Sequence, residues 1–336
     1  MSGSIKWFRM VIVLLVGLVF VAPAGSVAVA QTPEAAGAGL FDGVAFDDGV
    51  VPTIFGDVAL PDQVERVITL TDGALDAMLT LGILPVGMTA SSNGTSAAAY
   101  LAELVPEDQE YVGGWGELDI EKIVGLQPDL ILTDRYILED EYSTLSAIAP
   151  VVATQEVTVD GPDALQQWEY ELLVWGYAVG QEDAARTAIL ELRERAADVR
   201  VAVGEHQGES VVVFRPQAEF PVVMSHAWMT GTILTWAGFT GNDFTENLAP
   251  PHSGRDVSLE QLQLLSADWL FAAARDQEMR DSLQLYEDNP LIQDFVAVKE
   301  GQIALVPGDL WSGATGVLAG HAMLDDIQRI VVDGER

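Results

Sequence analysis

The chain has 336 residues with 51 acidic and only 16 basic side chains, which gives a formal net charge of −35. This charge excludes nucleic acid and anionic membrane surfaces as electrostatic partners, because like charges repel. The sequence contains no cysteine, which excludes disulfides, thiolate metal sites, cysteine nucleophiles and the usual lipid-acceptor residue of a bacterial signal peptide.

Residues 1–30 have the organisation of a secretory signal peptide. Lys6 and Arg9 precede an apolar stretch over 10–22, and an Ala-Val-Ala sequence offers cleavage after Ala30. The apolar stretch falls short of the roughly 20 residues that span a bilayer, so we predict a cleaved signal rather than an anchor. Cleavage removes two basic and no acidic residues, which lowers the formal charge from −35 by two, to −37. We therefore expect export to a periplasm or to the exterior of the cell envelope.

Residues 31–50 are rich in Ala, Gly and Asp and are predicted to form a flexible leader. Over residues 51–180, short apolar runs then alternate with helical periods, as in a β-α-β unit that has its helix at 74–81 and a stop at Gly82. Further apolar runs at 129–133 and 150–153 continue the alternation. Buried parallel strands separated by helices predict an N-terminal lobe of α/β sandwich type.

One long helix is predicted over residues 181–204. Its apolar stripe recurs at spacings of four and three residues, and it consists of Ala185, Ile189, Leu192, Ala196, Val199 and Val203. The central 22 residues contain no Gly or Pro and would form a rod of roughly 33 Å. A rod of this length can join two lobes and restrict the hinge motion between them.

The alternation of strands and helices restarts at residue 205 and continues to residue 336, which predicts a C-terminal lobe of the same type. A repeated sequence pattern supports two lobes of the same architecture. In both copies a glutamate, Glu121 or Glu260, opens a short amphipathic helix, and an aspartate, Asp129 or Asp268, follows eight residues later at the head of an apolar strand.

This arrangement resembles the helical-backbone substrate-binding proteins (class III, cluster A) of ABC importers for ferric siderophores, haem and cobalamin. The resemblance runs from about Val51 to the C-terminus, and it is carried by TIFGDV at 53–58, LGILPVG at 81–87, PDLI at 128–131 and the strand at 301–306. It implies two similar α/β lobes joined by a single long helix, with the ligand in the cleft between them. It also implies a monomer without enzymatic activity or a permanently bound cofactor, whose iron(III) arrives inside the siderophore.

The same resemblance implies that a matching glutamate on each lobe docks onto arginines of the ABC permease in the cytoplasmic membrane. Glu121 and Glu260 match that motif. Each also falls in the first turn of a predicted helix, where a carboxylate is favoured by the helix dipole, so simple capping is the alternative. For the second helix, Ser258 is also well placed to cap.

Candidate ligand-binding residues follow the apolar runs, because ligands of α/β lobes bind beyond the carboxyl ends of strands. A ferric siderophore is commonly anionic and rich in oxygen, so arginine and aromatic side chains are the expected contacts. The candidates are Trp115, Arg135, Tyr136, Arg215, His226, Trp228, Arg255 and Trp311. Surface ion pairs for the arginines and core packing for the tryptophans are the alternatives.

Other functions stay open at this point. Haem or cobalamin could replace the siderophore, and a haem iron could take His226, His252 or Tyr136 as an axial ligand. An exported hydrolase would need an acid/base pair, but no GxSxG or HExxH motif is present. A free-metal binder would need converging ligands, and the four histidines form no HxH or HxxxH spacing.

Overall fold

The computed structural model describes residues 39–46, 49–91, 94, 96–114, 116–248, 254–287 and 289–335. The predicted signal peptide, its cleavage site after Ala30, and the candidate residues Trp115 and His252 lie outside these described residues. Within the described part, no helix combines the length and the hydropathy that a bilayer-spanning segment needs.

The N-terminal lobe consists of short strands and helices. Its strands are β1 (Val50–Thr53), β2 (Gly56–Ala59), β3 (Val67–Thr69), β4 (Gly87–Met88), β5 (Gly113–Gly114), β6 (Glu117–Leu118), β7 (Leu130–Thr133) and β8 (Val151–Ala153). Its helices are α1 (Asp72–Thr80), α2 (Ile120–Leu126), α3 (Glu139–Ser146) and α4 (Gln167–Ala178). Four strands form a parallel sheet in the order β4-β3-β7-β8, while β1 with β2 and β5 with β6 form antiparallel hairpins.

The chain then enters α5 (Glu182–Val203), which we call the backbone helix, and continues into the C-terminal lobe. The strands of this lobe are β9 (Val211–Arg215), β10 (Val222–Met224), β11 (Gly254–Asp256), β12 (Trp269–Ala274) and β13 (Ile303–Pro307). Its helices are α6 (Met229–Trp236), α7 (Asp243–Glu246), α8 (Gln277–Glu287), α9 (Val296–Lys299), α10 (Gly308–Trp311) and α11 (Val317–Ile327). The sheet order is β11-β10-β9-β12-β13, with β9, β12 and β13 parallel and β10 antiparallel to both its neighbours.

The backbone helix has the buried face that the sequence predicts. All six residues of the predicted apolar stripe are buried. This face packs against α4 of the N-terminal lobe and against α6 and α11 of the C-terminal lobe. The prediction of a long helix in contact with both lobes is therefore confirmed.

The two aspartates of the repeated sequence pattern make equivalent hydrogen bonds in the two lobes. Asp129, at the head of β7, accepts hydrogen bonds from the backbone N–H groups of Glu65 (2.7 Å) and Arg66 (3.0 Å), which lead into β3. Asp268, at the head of β12, accepts from the N–H and the hydroxyl of Ser210, both at 2.8 Å, and Ser210 leads into β9. Each aspartate thus sets the start of a neighbouring parallel strand. The second amphipathic helix differs from expectation, because Leu259–Leu265 is a 3-10 helix.

The prediction of a flexible leader over residues 31–50 does not fit residues 39–46, which lie against helices of the protein. The Phe46 ring stacks on Tyr177 with ring centroids 4.5 Å apart, and the Arg186 guanidinium lies 4.7 Å from the centre of the Phe41 ring. Both phenylalanines pack against the main hydrophobic core. The two rings give this polar segment enough apolar contact with α4 and α5 to order it.

Buried polar contacts also join the lobes. Asp76 of α1 accepts hydrogen bonds from the N–H groups of Leu318 (3.1 Å) and Ala319 (2.9 Å) at the start of α11. On the other side of the junction, Arg193 of the backbone helix forms an ion pair with the fully buried Glu169 of α4. These contacts supplement the backbone helix in fixing one lobe relative to the other.

Candidate functional site: the cleft between the lobes

A cavity of about 1220 Å³ lies between the two lobes, and both lobes line it. Pockets for drug-sized ligands occupy about 300–1000 Å³, so this cleft suits a large small molecule. Its N-terminal wall includes residues 70–73, 134–136 and 156–171, and its C-terminal wall includes residues 226–246 and 312–315, with gaps in each range. A ligand held there would contact both halves of the molecule.

Four charged side chains of the cavity lie just beyond the ends of strands. Asp72 follows β3, Asp134 and Arg135 follow β7, and Arg275 follows β12 directly. The carboxyl ends of parallel strands in both sheets therefore face one cleft, as in other open α/β sheets that bind ligands. The rule used to select candidate residues from the sequence points to this same edge.

Arg135 belongs to a hydrogen-bonded cluster in the N-terminal wall. Its Nη1 donates to Glu171 Oε1 at 3.2 Å, and its Nη2 donates to the Tyr136 hydroxyl at 2.8 Å. Glu171 also accepts from Gln167 Nε2 (3.0 Å) and Thr154 Oγ1 (3.3 Å). Burial raises the pKa of Glu171 to about 7, although the bond from Gln167 and the charge of Arg135 oppose the rise.

His226 lies in the C-terminal wall with both a hydroxyl and a carboxylate beside it. Its Nε2 is 2.9 Å from Thr235 Oγ1 and 3.6 Å from Glu246 Oε1. Burial lowers the pKa of His226 against the opposing charge of Glu246, so the ring is neutral at pH 7. Across the described residues, no group of three or more His, Asp or Glu side chains is arranged to hold a metal ion.

Two tryptophans in the cavity wall have buried indole N–H groups without a partner in the described part of the chain. They are Trp168 in α4 and Trp228, which precedes α6. A buried donor without an acceptor carries a penalty of about 1–3 kcal/mol, and neither nitrogen has surface open to the cleft that a ligand oxygen could reach without a local shift. Trp168 packs edge-on against Trp236, with ring centroids 6.0 Å apart, and also lines the cavity.

Four of the eight candidate ligand residues line the cavity, namely Arg135, Tyr136, His226 and Trp228. Two arginines do not line it. Arg215 is half-buried at the end of β9, and Arg255 is exposed on the edge strand β11. Trp311 corrects an expectation, since it is fully buried, donates from Nε1 to Asp326 Oδ2 at 2.8 Å and packs edge-on against Phe271. Trp311 is a core residue, because its indole N–H has an acceptor and its ring is packed inside the C-terminal lobe.

Arg275 and Glu171 are two of the charged lining residues absent from the candidate set. Arg275 directly follows β12, whose last three residues are alanines that give only a weak strand signal. A predicted strand that includes these alanines places Arg275 at its carboxyl end, where ligand contacts are expected. Glu171 offered no such signal, because it lies within a helix that is buried on nearly every side.

Glu121 and Glu260 occupy equivalent places on the two lobes. Each is exposed in the first turn of its helix, and neither has a hydrogen bond or ion pair among the described residues. The cap of α2 is instead Asp119, whose Oδ1 accepts from the N–H of Lys122 at 3.0 Å. The carboxylate of Glu121 makes no side-chain cap in the described chain, although its place in the first turn is still one that the helix dipole favours.

A family model described as "Periplasmic binding protein" matches residues 67–310. The Fe(3+)-citrate-binding protein YfmC of Bacillus subtilis is 25% identical over 291 residues, which cover 85% of this chain and 86% of that relative. Staphylococcus aureus SirA complexed with staphyloferrin B superposes with a TM-score of 0.73 at 21% identity, over 84% of this chain and 98% of SirA. Streptococcus pneumoniae PiaA in complex with ferrichrome gives a TM-score of 0.66 at 21% identity, over 85% and 98%.

Proposed function

The chain belongs to the family of periplasmic binding proteins, and on that basis we propose that it captures a ferric siderophore outside the cytoplasmic membrane and delivers it to an ABC permease. The observation that carries this proposal is the cavity of about 1220 Å³ lined by both lobes at the carboxyl ends of their strands. The protein acts as a monomer, because each chain contributes both walls of its own cleft. It performs no chemistry on the ligand.

The walls of the cleft suit an iron chelate rather than a bare ion. Iron(III) inside a siderophore already has its oxygen ligands, so the protein needs only to contact the outer surface of the complex. Lining hydroxyl groups such as those of Thr158 and Thr315 offer hydrogen bonds to ligand oxygens, and the exposed Tyr136 ring offers an apolar face. The relatives named for ferric citrate, staphyloferrin B and ferrichrome support a cargo of this kind.

Haem and cobalamin are the alternative cargoes. A haem iron would need an axial ligand, but His226 Nε2 is engaged with Thr235 and the Tyr136 hydroxyl accepts a bond from Arg135. Both groups would have to give up a partner to bind iron. This favours a siderophore over haem.

Titration with ferric siderophores is expected to quench the tryptophan fluorescence, because Trp168 and Trp228 line the cleft and an iron complex beside an indole absorbs its emission. Ferrichrome, ferrioxamine B, ferric citrate, haemin and cyanocobalamin form the panel. Trp228→Phe reduces the aromatic surface of the cleft wall and should weaken siderophore binding about three- to tenfold. Trp269→Phe is the control, since Trp269 is fully buried away from the cavity and donates to Glu209.

Saturable quenching by at least one ferric siderophore, with intact ligand recovered afterwards, is the expected result. Failure of every iron chelate to bind would remove the proposed function. Tighter binding of haemin or cyanocobalamin than of any siderophore would assign the protein to the alternative cargo.

Delivery depends on the paired glutamates. The double substitution Glu121→Ala with Glu260→Ala should reduce uptake of radiolabelled ferric siderophore by cells at least tenfold, because two exposed carboxylates that would pair with permease arginines are lost. Affinity for the ligand in solution should not change. The matched control is Glu103→Ala with Glu278→Ala, which removes one exposed first-turn glutamate from each lobe. Normal uptake by the first double variant would reject the docking role.

A further inference from the structure

The lining of the cleft carries more negative than positive charge. Its carboxylates are Asp72, Asp134, Glu156, Glu171 and Glu246, and its guanidinium groups are Arg135 and Arg275. The formal excess is therefore three negative charges. This observation conflicts with the sequence-based expectation that strand-end arginines would attract an anionic chelate.

Both lining arginines are already beside carboxylates. Arg135 contacts Glu171 at 3.2 Å. Arg275 Nε lies 3.3 Å from Ser312 Oγ and 3.9 Å from Asp309 Oδ1. An anionic ligand would have to compete with these carboxylates for each guanidinium, and charge separation in a half-buried site is unfavourable.

Arg215 does not reverse the balance. It lies outside the lining at the end of β9, next to the strand that leads to Arg275. Burial and the neighbouring charge of Arg275 lower the pKa of Arg215, and Asp256 opposes this effect. Counting Arg215 with the lining would still leave an excess of two negative charges.

Protonation of buried carboxyl groups would not give the lining a net positive charge. Burial raises the pKa values of Asp72, Asp134 and Glu171. If all three were neutral, the formal charge of the lining would be zero. Glu156 and Glu246, one on each lobe, are exposed and still face an incoming ligand.

Apart from its charged groups, the lining offers uncharged hydrogen-bonding side chains. The guanidinium groups of Arg135 and Arg275 are already engaged. Hydroxyl and amide side chains such as Thr158, Thr315 and Gln167 also line the cleft. Uncharged groups of this kind hydrogen-bond hydroxamate and amide groups without requiring a net negative ligand.

From this charge distribution we infer that the cleft selects an uncharged or cationic ferric complex of the trihydroxamate class over anionic catecholate or citrate complexes. The inference rests on the proposed function. Each hydroxamate contributes a single negative charge, so that three of them neutralise iron(III), whereas each catecholate contributes two and leaves the complex anionic. An amine-bearing trihydroxamate is cationic and is attracted both by the lining and by the formal charge of −35 on the whole chain.

Measurement of dissociation constants for ferrioxamine B (cationic), ferrichrome (neutral), ferri-bacillibactin and ferric citrate (both anionic) tests the inference. One of the trihydroxamates should bind at least tenfold more tightly than either anionic complex. Affinity for ferrioxamine B should fall as salt rises, because screening weakens the attraction. Equal or tighter binding of an anionic complex would overturn the ligand class and leave siderophore binding intact. Failure of all four complexes to bind would instead remove the proposed function.

Neutralising the two exposed lining carboxylates provides a second test. Glu156→Gln with Glu246→Gln should weaken ferrioxamine B about three- to tenfold at low salt and strengthen ferri-bacillibactin. The control is Glu194→Gln with Asp198→Asn, which makes the same change in net charge on exposed positions of the backbone helix. If the control produced the same shifts, overall charge rather than the cleft would select the ligand, and the assignment to the lining would be wrong.

Discussion

Replacing Arg193 by methionine is expected to lower the free energy of unfolding by about 3–5 kcal/mol, because it leaves a buried carboxylate without its cation. Glu169 is fully buried, and Arg193 Nε and Nη2 each donate to one of its oxygens at 2.6 Å. The same guanidinium lies 4.5 Å from the centre of the Trp236 ring in the C-terminal lobe and donates to the carbonyl of Ala164 at 2.7 Å. Urea unfolding at pH 7 measures the effect.

Two variants make this result specific. Arg186→Met removes an arginine from the same helix whose partner Glu182 is partly exposed, so its loss should be about 1 kcal/mol or less. Glu169→Leu combined with Arg193→Met removes both charges and should recover much of the stability lost in the single variant. A loss below 1 kcal/mol for Arg193→Met would show that water or another group replaces the arginine. The network would then contribute little to holding the lobes together.

The parts of this fold that follow from local periodicity could be predicted from the sequence. The backbone helix spans the predicted region and buries the predicted face. Apolar residues at spacings of three and four fall on one face of an α-helix, so the pattern defines which face is buried. The repeated aspartates also gave correct information, since both mark the start of a parallel strand. These features depend on neighbours in the chain or on a repeated pattern.

The features that failed depend on contacts between distant residues. Residues 39–46 have the composition of a linker, but two phenylalanines meet Tyr177 and Arg186 far along the chain. Trp311 follows a strand and was expected in the cleft, yet Asp326 satisfies its indole inside the core. Composition and position cannot reveal such partners.

The candidate residues follow predicted strands, and the cavity lies at the same strand ends. The sequence leaves Arg135 either as a ligand contact or as half of an ion pair, and in the structure Glu171 approaches it from a helix later in the chain. The pairing of these residues requires the packing of α4 against the N-terminal sheet. The sequence alone therefore locates the cleft and leaves its ligand preference to the three-dimensional structure.

The second large effect concerns pH and Asp76, whose carboxyl joins the lobes at the start of α11. Burial raises the pKa of Asp76 from 3.8 to about 7, although the N–H groups of Leu318 and Ala319 and the hydroxyl of Thr80 oppose the rise. The folded state therefore holds a proton that the unfolded state releases between pH 4 and pH 7. Stability contributed at this site falls as pH rises through that window, by roughly 3 kcal/mol.

Asp76→Asn removes the titration while preserving the size of the side chain, and it separates this group from all others that respond to pH. At pH 5 the variant should be less stable than the parent by about 1–2 kcal/mol, because the amide NH₂ accepts no hydrogen bond, whereas both oxygens of the protonated carboxyl can accept from the two backbone N–H groups. Between pH 5 and pH 8 its stability relative to the parent should rise by roughly 3 kcal/mol, since only the parent must then bury a charge. Chemical unfolding of both proteins at several pH values measures this difference. A stability difference between variant and parent that stays constant from pH 5 to pH 8 would contradict this prediction. It would mean that the Asp76 carboxyl has the same pKa in the folded and unfolded states, because the N–H groups at the helix N-terminus fully offset the effect of burial.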